Sequence, residues 1–507
     1  MSVCSALLTD RWRADGPDRP AFEGAFGAEK KIALSETQAS AQIAGIAKLL
    51  RVHGVGPNVR VGVLSNHRVE TYLAVLAVVS VGGTFVPLNP KFPAERLRTI
   101  VDLARPVVIL GDRSTVAVHA DVAGSVPFVD VASVAASVTA VGPWLHDVAA
   151  APTTEKDIAY VMFTSGSTGT PKGVPISYAN LAAYVDGVTE LLAIPDGARF
   201  SQFFDLSFDL SMHDIFVSTR RRGTLVAPTQ VDLMMPGAYV ARERIDAWFS
   251  VPLVGAQLGA SKRKEDFAGF RSMLFCGEAL PMETVAACRP WLADGGRMWN
   301  LYGPTEATIA FTAADVTDSS RTDGNASIGH PFGVNRTAML AADGSVVTER
   351  GLGDEGELLL GGPQVFAGYS TDAPSPFVEH NGVNWYRSGD LVRIDSEGVY
   401  FRGRVDSQVK FRGYRIELGE IESVARRTFG LKTVAVVVTG EGAGARLVMF
   451  HLAGETTDVL DLQRLATDLP NYMIPSEAVA LDAMPTNQNG KIDRRALAAR
   501  SRGESGQ

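Results

Sequence analysis

The most apolar stretch of the chain, Thr71–Leu88 (TYLAVLAVVSVGGTFVPL), is interrupted by Gly82, Gly83 and Pro87. The pattern predicts a buried helix to about Val81, a turn, and a short strand over Thr84–Pro87. A membrane helix needs about 20 continuous apolar residues, so the stretch reads as core and no membrane partner is expected. The same alternation recurs: Val59–Ser65 and Val107–Leu110 read as strands, and a helical Met212–Thr219 precedes a strand at Leu225–Ala227. Strands alternating with helices predict an α/β protein with parallel strands. No Pro- or Ser-rich linker separates large blocks.

Into this pattern falls a polar loop, Tyr160–Lys172 (YVMFTSGSTGTPK), entered from an apolar segment and followed by Gly173. Gly166, Gly169 and Gly173 permit tight turns that bring backbone N–H groups near an anion. Thr164, Ser165, Ser167, Thr168 and Thr170 add donors, and Lys172 adds charge. This is what holding a triphosphate requires, although Pro171 before Lys172 and Gly173 after it exclude a Walker loop. On its own the loop also reads as a surface turn.

Composition narrows the classes. With 507 residues, 46% hydrophobic and 21% charged, the chain can bury a large core and is expected to form more than one domain. A net charge of −8 argues against nucleic acid or an anionic membrane surface as partner, leaving a small ligand. Cys4, Cys276 and Cys288 cannot all pair and lack CxxC spacing, which argues against a disulfide framework or structural zinc. The N-terminus is broken by Asp10, Arg11 and Arg13 and does not read as a secretion signal, so a cytoplasmic location is expected.

Three further constellations carry chemistry. In Asn300–Glu306 (NLYGPTE), Tyr302 offers a ring to stack on a purine, Gly303-Pro304 makes a turn, and Thr305 and Glu306 present a hydroxyl and a carboxylate. A carboxylate near phosphates suits Mg²⁺. In Tyr386–Asp390 (YRSGD), a turn carries Asp390, whose two oxygens suit a ribose diol. In Pro485–Asp493 (PTNQNGKID), Lys491 follows a Gly490 turn in a tail read as mostly helical.

In this order, with GGTFVPLNPKFPAERL (Gly82–Leu97), FDLSMHDIF (Phe208–Phe216), FCGEALP (Phe275–Pro281), GELLLGGPQVFAGY (Gly356–Tyr369), GRVDSQVKFRGYRIELGEIE (Gly403–Glu422) and NGKIDR (Asn489–Arg494), the chain resembles the adenylate-forming superfamily of acyl-CoA synthetases, luciferases and peptide-synthetase adenylation domains. It is most similar to stand-alone amino acid adenylation enzymes and D-alanine–carrier protein ligases. Tyr178, in PISYANL, departs from the histidine of many relatives. The resemblance implies that a carboxylate attacks the α-phosphate of ATP, giving an acyl adenylate and pyrophosphate, and that a thiol then takes the acyl group. It implies Lys491 at the attacking carboxylate and α-phosphate, and the loop with Lys172 on pyrophosphate. Thr305 would contact phosphate and Glu306 would order Mg²⁺. Asp390 would hold ribose, Arg404 and Arg415 ribose or phosphate, and Tyr302 would face adenine, with Asn300, Gly303 and the Gly277-Glu278-Ala279 backbone around it. The implied architecture is a large multi-sheet domain, residues 1–404, and a small α+β domain, residues 405–507, that carries Lys491 and rotates about Asp406 to bring Lys410 and Gly413 to the incoming thiol arm.

For the substrate, Asp209 matches the aspartate with which amino-acid-activating relatives pair an ammonium. Leu210, His213, Leu253, Leu274, Cys276, Leu301, Ile309 and Ala310 are the other pocket candidates, mostly apolar and small to medium, which points to a compact amino acid. His213 reads either as a core histidine or as the reader of a polar substituent. Asp205, in the repeat FFDLSFDLS, is a candidate for a β-amino group. The chain reads as a stand-alone ligase in natural-product biosynthesis. Its thiol acceptor would be the phosphopantetheine arm of a separate carrier protein, with coenzyme A as the alternative. The competing readings are an acyl-CoA synthetase for a non-amino acid and a catalytically silent interaction subunit.

Overall fold

The computed structural model describes residues 7–8, 17–26, 30–64, 67–137, 153–164, 171–262, 266–349, 351–370, 374–396, 398–405, 408–440, 444–456, 459–486 and 492–501. Five sheets organise them. One has six strands in the order Phe128–Asp130, Val108–Gly111, Arg60–Leu64, Thr84–Leu88, Ile158–Thr164 and Lys172–Ser177. All its pairs are parallel except the last. A nine-stranded sheet has at its centre Leu292–Tyr302, Phe270–Phe275, Ala247–Ser250, Arg199–Ser201 and Thr224–Val226, all parallel neighbours. The expected helix lies at Val69–Ser80 and every residue of it is buried. A helix apolar on all sides needs cover on all sides. Here it touches strand Pro20–Phe26 of the nine-stranded sheet and Arg60–Leu64 and Thr84–Leu88 of the six-stranded one. No helix among the described residues is long and apolar enough to cross a membrane.

Tyr178 opens the helix Tyr178–Leu192 behind a reciprocal Ser177/Asn180 cap. Its buried hydroxyl donates to the Gly83 carbonyl at 2.6 Å, so this tyrosine ties its helix to the turn that leaves Val69–Ser80. Two sequence expectations are corrected. Asp390 lies within the long strand Val383–Asp395 and not in a turn: Gly389, at a left-handed φ of 73°, sits where the ladder to Glu355–Gly361 shifts register, and Asp390 pairs with Arg404. The C-terminal part is helical in its tail, over Arg494–Ser501, but not mostly so before it, where the chain forms the hairpin Gln408–Phe411/Tyr414–Glu417, the helix Leu418–Phe429 and a sheet of Val434–Thr439, Arg446–Leu452 and Glu477–Leu481. Its two apolar clusters draw only on residues 409–498, and the other clusters only on residues 7–401.

Candidate active site

Parallel strands present their carboxyl ends together, and in open α/β sheets ligands bind there. Strand Phe270–Phe275 runs into Cys276-Gly277-Glu278, and its neighbour Leu292–Tyr302 runs into Gly303-Pro304-Thr305. A cleft opens over these ends, lined by Thr164, Asp209, Leu210, Gly277, Gly303, Thr305, Asp390, Arg404, Lys410, Gly413 and Arg415. A smaller adjoining cavity is lined by Glu278, Ala279, Asn300, Leu301, Tyr302 and Lys410. Most residues placed together by resemblance between 164 and 415 thus line one or other of these two neighbouring spaces, which share Gly277 and Lys410, whereas Lys172 and Glu306 line neither. Ser165–Thr170, Asp406 and Lys491 lie outside the described residues.

The cleft is rich in buried charge. Asp390 accepts from the Tyr302 hydroxyl at 2.6 Å and from Arg404 at 2.5 Å, and burial pushes the Tyr302 phenol far above its ordinary value. Glu306 is buried, which opposes its ionisation, but the Arg415 guanidinium at 2.7 Å and the Tyr369 hydroxyl at 2.9 Å bring its carboxyl below the ordinary value. Lys172 Nζ stands 5.7 Å from the centre of the Tyr369 ring, on the same side chain that reaches Glu306. Lys410 Nζ lies 5.4 Å from the Tyr302 ring centre.

Asp209 differs from these carboxylates. It is buried, accepts the Ile309 N–H at 3.1 Å, and has no ion-pair partner among the described residues. Burial, reinforced by the charge of Glu306, pushes it up to about 6, against the pull of the Ile309 N–H, the Thr305 hydroxyl and Arg415. Asp205 is the opposite case. His67 Nε2 at 3.4 Å and Lys91 Nζ at 3.3 Å outweigh its burial and lower it to about 2. As a candidate for a β-amino group it is therefore corrected, since His67 and Lys91 already engage its carboxylate.

Of the apolar pocket candidates, Leu210 lines the cleft. Leu301 lines the smaller cavity, Leu274, Cys276, Ile309 and Ala310 are buried in the main core, and Leu253 is part-buried. His213 is also buried, its Nδ1 2.6 Å from the Tyr184 hydroxyl and its ring edge-on to Phe249, and burial lowers it to about 3. That environment is a core histidine held neutral, the first of the two alternatives posed for it.

The hairpin Gln408–Phe411/Tyr414–Glu417 closes one side. Besides Arg415 on Glu306, the Gly413 N–H donates to Glu278 Oε1 at 2.5 Å. Gly413 has φ 84°, and a Cβ there would stand 2.9 Å from Val251 Cγ1, so glycine alone fits. Sequence reasoning gave no role to the groups beside this hairpin. Arg96 and Glu420 form a buried pair at 2.6 Å across the two parts of the chain, and Tyr414 packs on Phe208 and stacks on Tyr472. The signal for Arg96 was present in FPAERL, but its partner lies 324 positions away.

Fold and cleft together define an α/β enzyme whose ligand site is built at strand ends. The chain belongs to the AMP-binding enzyme family, whose model matches residues 9–370. It is 33% identical to an L-proline–[L-prolyl-carrier protein] ligase of Streptomyces coelicolor, over 94% of this chain and 93% of that one. The malpinin synthetase of Mortierella alpina is 31% identical over 92% of this chain, which spans 6% of that protein. Among solved structures, the Vibrio cholerae adenylation domain AlmE in complex with glycyl-adenosine-5′-phosphate superposes with a TM-score of 0.86 at 27% identity, covering 99% of this chain and 97% of that one.

Proposed function

We propose that this protein is an ATP-dependent, AMP-forming ligase that activates a small amino acid as its aminoacyl adenylate and transfers it to the phosphopantetheine thiol of a carrier protein. The observation that carries the amino acid is Asp209, a buried carboxylate at the cleft with no ion-pair partner among the described residues. A lone buried charge is costly, and a substrate ammonium supplies the missing partner.

In this reading ATP lies along the cleft, with its ribose diol on Asp390, adenine in the cavity beside Tyr302, and the phosphates toward Thr164 and Lys172. Both reactants are anions, so catalysis requires cations where negative charge gathers. Lys491 supplies one at the attacking carboxylate. The residues fit Mg²⁺ held as it usually is with nucleotides, by one or two carboxylates plus phosphate oxygens, and Glu306 is the carboxylate available. The ion would neutralise phosphate charge; Glu306 would then exchange Arg415 for it.

The separate apolar clusters on either side of residues 404 and 405 support two domains, 1–404 and 405–507, pivoting at Asp406. With Gly413 on Glu278 and Lys410 over Tyr302, the arrangement suits the transfer step. Gly413→Val would drive a branched side chain into Val251 at a left-handed φ. The expected result is adenylate formation within about threefold of wild type and thioester formation reduced at least about 100-fold in single-turnover assays. Equal loss in both steps would remove the hairpin from the transfer role. The function itself is tested by incubating enzyme, ATP and radiolabelled amino acid with a holo-carrier protein or with coenzyme A. Label in acid-stable, thiol-labile linkage to the carrier is expected, whereas transfer to coenzyme A alone would make the protein an acyl-CoA synthetase.

A further inference from the structure

Two consecutive β-branched residues, Thr308 and Ile309, sit at φ 60° and 70°, a left-handed region that branched side chains disfavour. Such a turn persists only if its surroundings over-determine it. The group that does so is the buried side chain of Gln364. Its Nε2 lies 2.7 Å from the Ala310 carbonyl and 3.3 Å from those of Ala307 and Thr308. The Thr308 hydroxyl donates to the Gln364 carbonyl at 2.6 Å, and Asn335 Nδ2 donates to Gln364 Oε1 at 2.5 Å, fixing the amide's orientation. An amide has two N–H donors, and here both are committed to the carbonyls of this one turn. The turn's Ile309 N–H is what reaches Asp209, and Thr305 and Glu306 immediately precede it.

We propose that Gln364 is a positioning residue for the carboxylic acid substrate: by clamping the carbonyls of residues 307–310 it holds the Ile309 N–H on Asp209 and so fixes the carboxylate that reads the substrate amine. The inference rests on the reading of Asp209 as the amine's counter-ion. It differs from a mere core role because the amide's hydrogen bonds go to the turn that carries the Ile309 N–H and to Asn335, and none of these goes to Asp390 or Tyr302.

Gln364→Met keeps the length of the side chain and removes its donors; Gln364→Glu keeps the acceptor for Asn335 and sets a carboxylate against three carbonyls. ATP–pyrophosphate exchange is measured with the preferred amino acid and with its des-amino analogue. Gln364→Met is expected to raise the amino acid KM about tenfold or more, with the ATP KM within about twofold and the preference over the analogue narrowed accordingly. Gln364→Glu is expected to show a larger defect at pH 8 than at pH 6, where the protonated acid donates again. Unchanged amino acid KM, or a drop in kcat that follows only a lowered thermal midpoint, would overturn the assignment. If wild type itself prefers the analogue, the amine reading of Asp209 fails. Gln364 is then retained only if the KM for that acid alone rises in Gln364→Met, and is rejected otherwise.

Discussion

Lys491→Ala is expected to slow adenylate formation by a factor of about 100 or more, the scale on which a preorganised charge at a transition state acts. The attacking carboxylate and the α-phosphate repel one another, and in the proposed reading Lys491 is the cation set between them. The same variant should still pass a chemically supplied aminoacyl adenylate to a carrier thiol, because the proposed turn of residues 405–507 would carry the lysine out of the site. Asp406→Pro is expected to do the reverse, since proline fixes φ near −65° and stiffens the pivot. Burst amounts of adenylate and single-turnover transfer, measured on both variants, check the pair. Equal loss of both steps in both variants would rule out a rotation about this point.

Asp209→Ala should abolish amino-acid-dependent exchange while leaving ATP binding nearly intact, because losing a buried charge partner costs about 3–5 kcal/mol. The carboxyl's value of about 6 adds a pH signature. An ammonium binds the ionised form, so the amino acid KM should rise about tenfold for each pH unit below 6 and level off above pH 7, with no parallel change for ATP. Stability runs the other way. The folded value stands above the ordinary 3.8, so the stability contributed by this group is complete below that pH and is lost as pH rises through about 6. Asp209→Asn is therefore expected to be at least as stable as wild type at pH 8 while failing to select amines; thermal midpoints across pH 4–8 check this. A variant that lost stability at pH 8 would show that Asp209 has a buried cationic partner.

Local pattern carried much of the fold. The glycines and proline that interrupt Thr71–Leu88 placed the end of the helix Val69–Ser80 and the strand Thr84–Leu88 nearly to the residue. It failed where tertiary contacts overrode it. Glu477–Leu481 (EAVAL) has helix-favouring composition, yet it pairs in parallel with Arg446–Leu452 and becomes a strand. Gly389 and Asp390 have turn chemistry but lie in a strand with partners on both sides. In the site, the motifs announced which residues converge but not how charges are shared among them. Asp205 and Asp209 look equivalent in FFDLSFDLS, and only the distant His67 and Lys91 give one of them side-chain partners, while the other has no ion-pair partner among the described residues. Gln364 was visible in GGPQVFAGY, but its clamp on residues 307–310 depends on contacts more than 50 positions apart.

The central claim, activation of an amino acid through its amine, is tested most directly by ATP–pyrophosphate exchange over a panel of L-, D- and β-amino acids, their des-amino counterparts, aryl acids and fatty acids. Exchange should be confined to small amino acids, with the des-amino counterpart of the best substrate weaker by at least about 100-fold, the discrimination expected when a site built for a polar group meets a ligand lacking it. Equal or faster exchange with the des-amino acid, or with fatty or aryl acids, would contradict it.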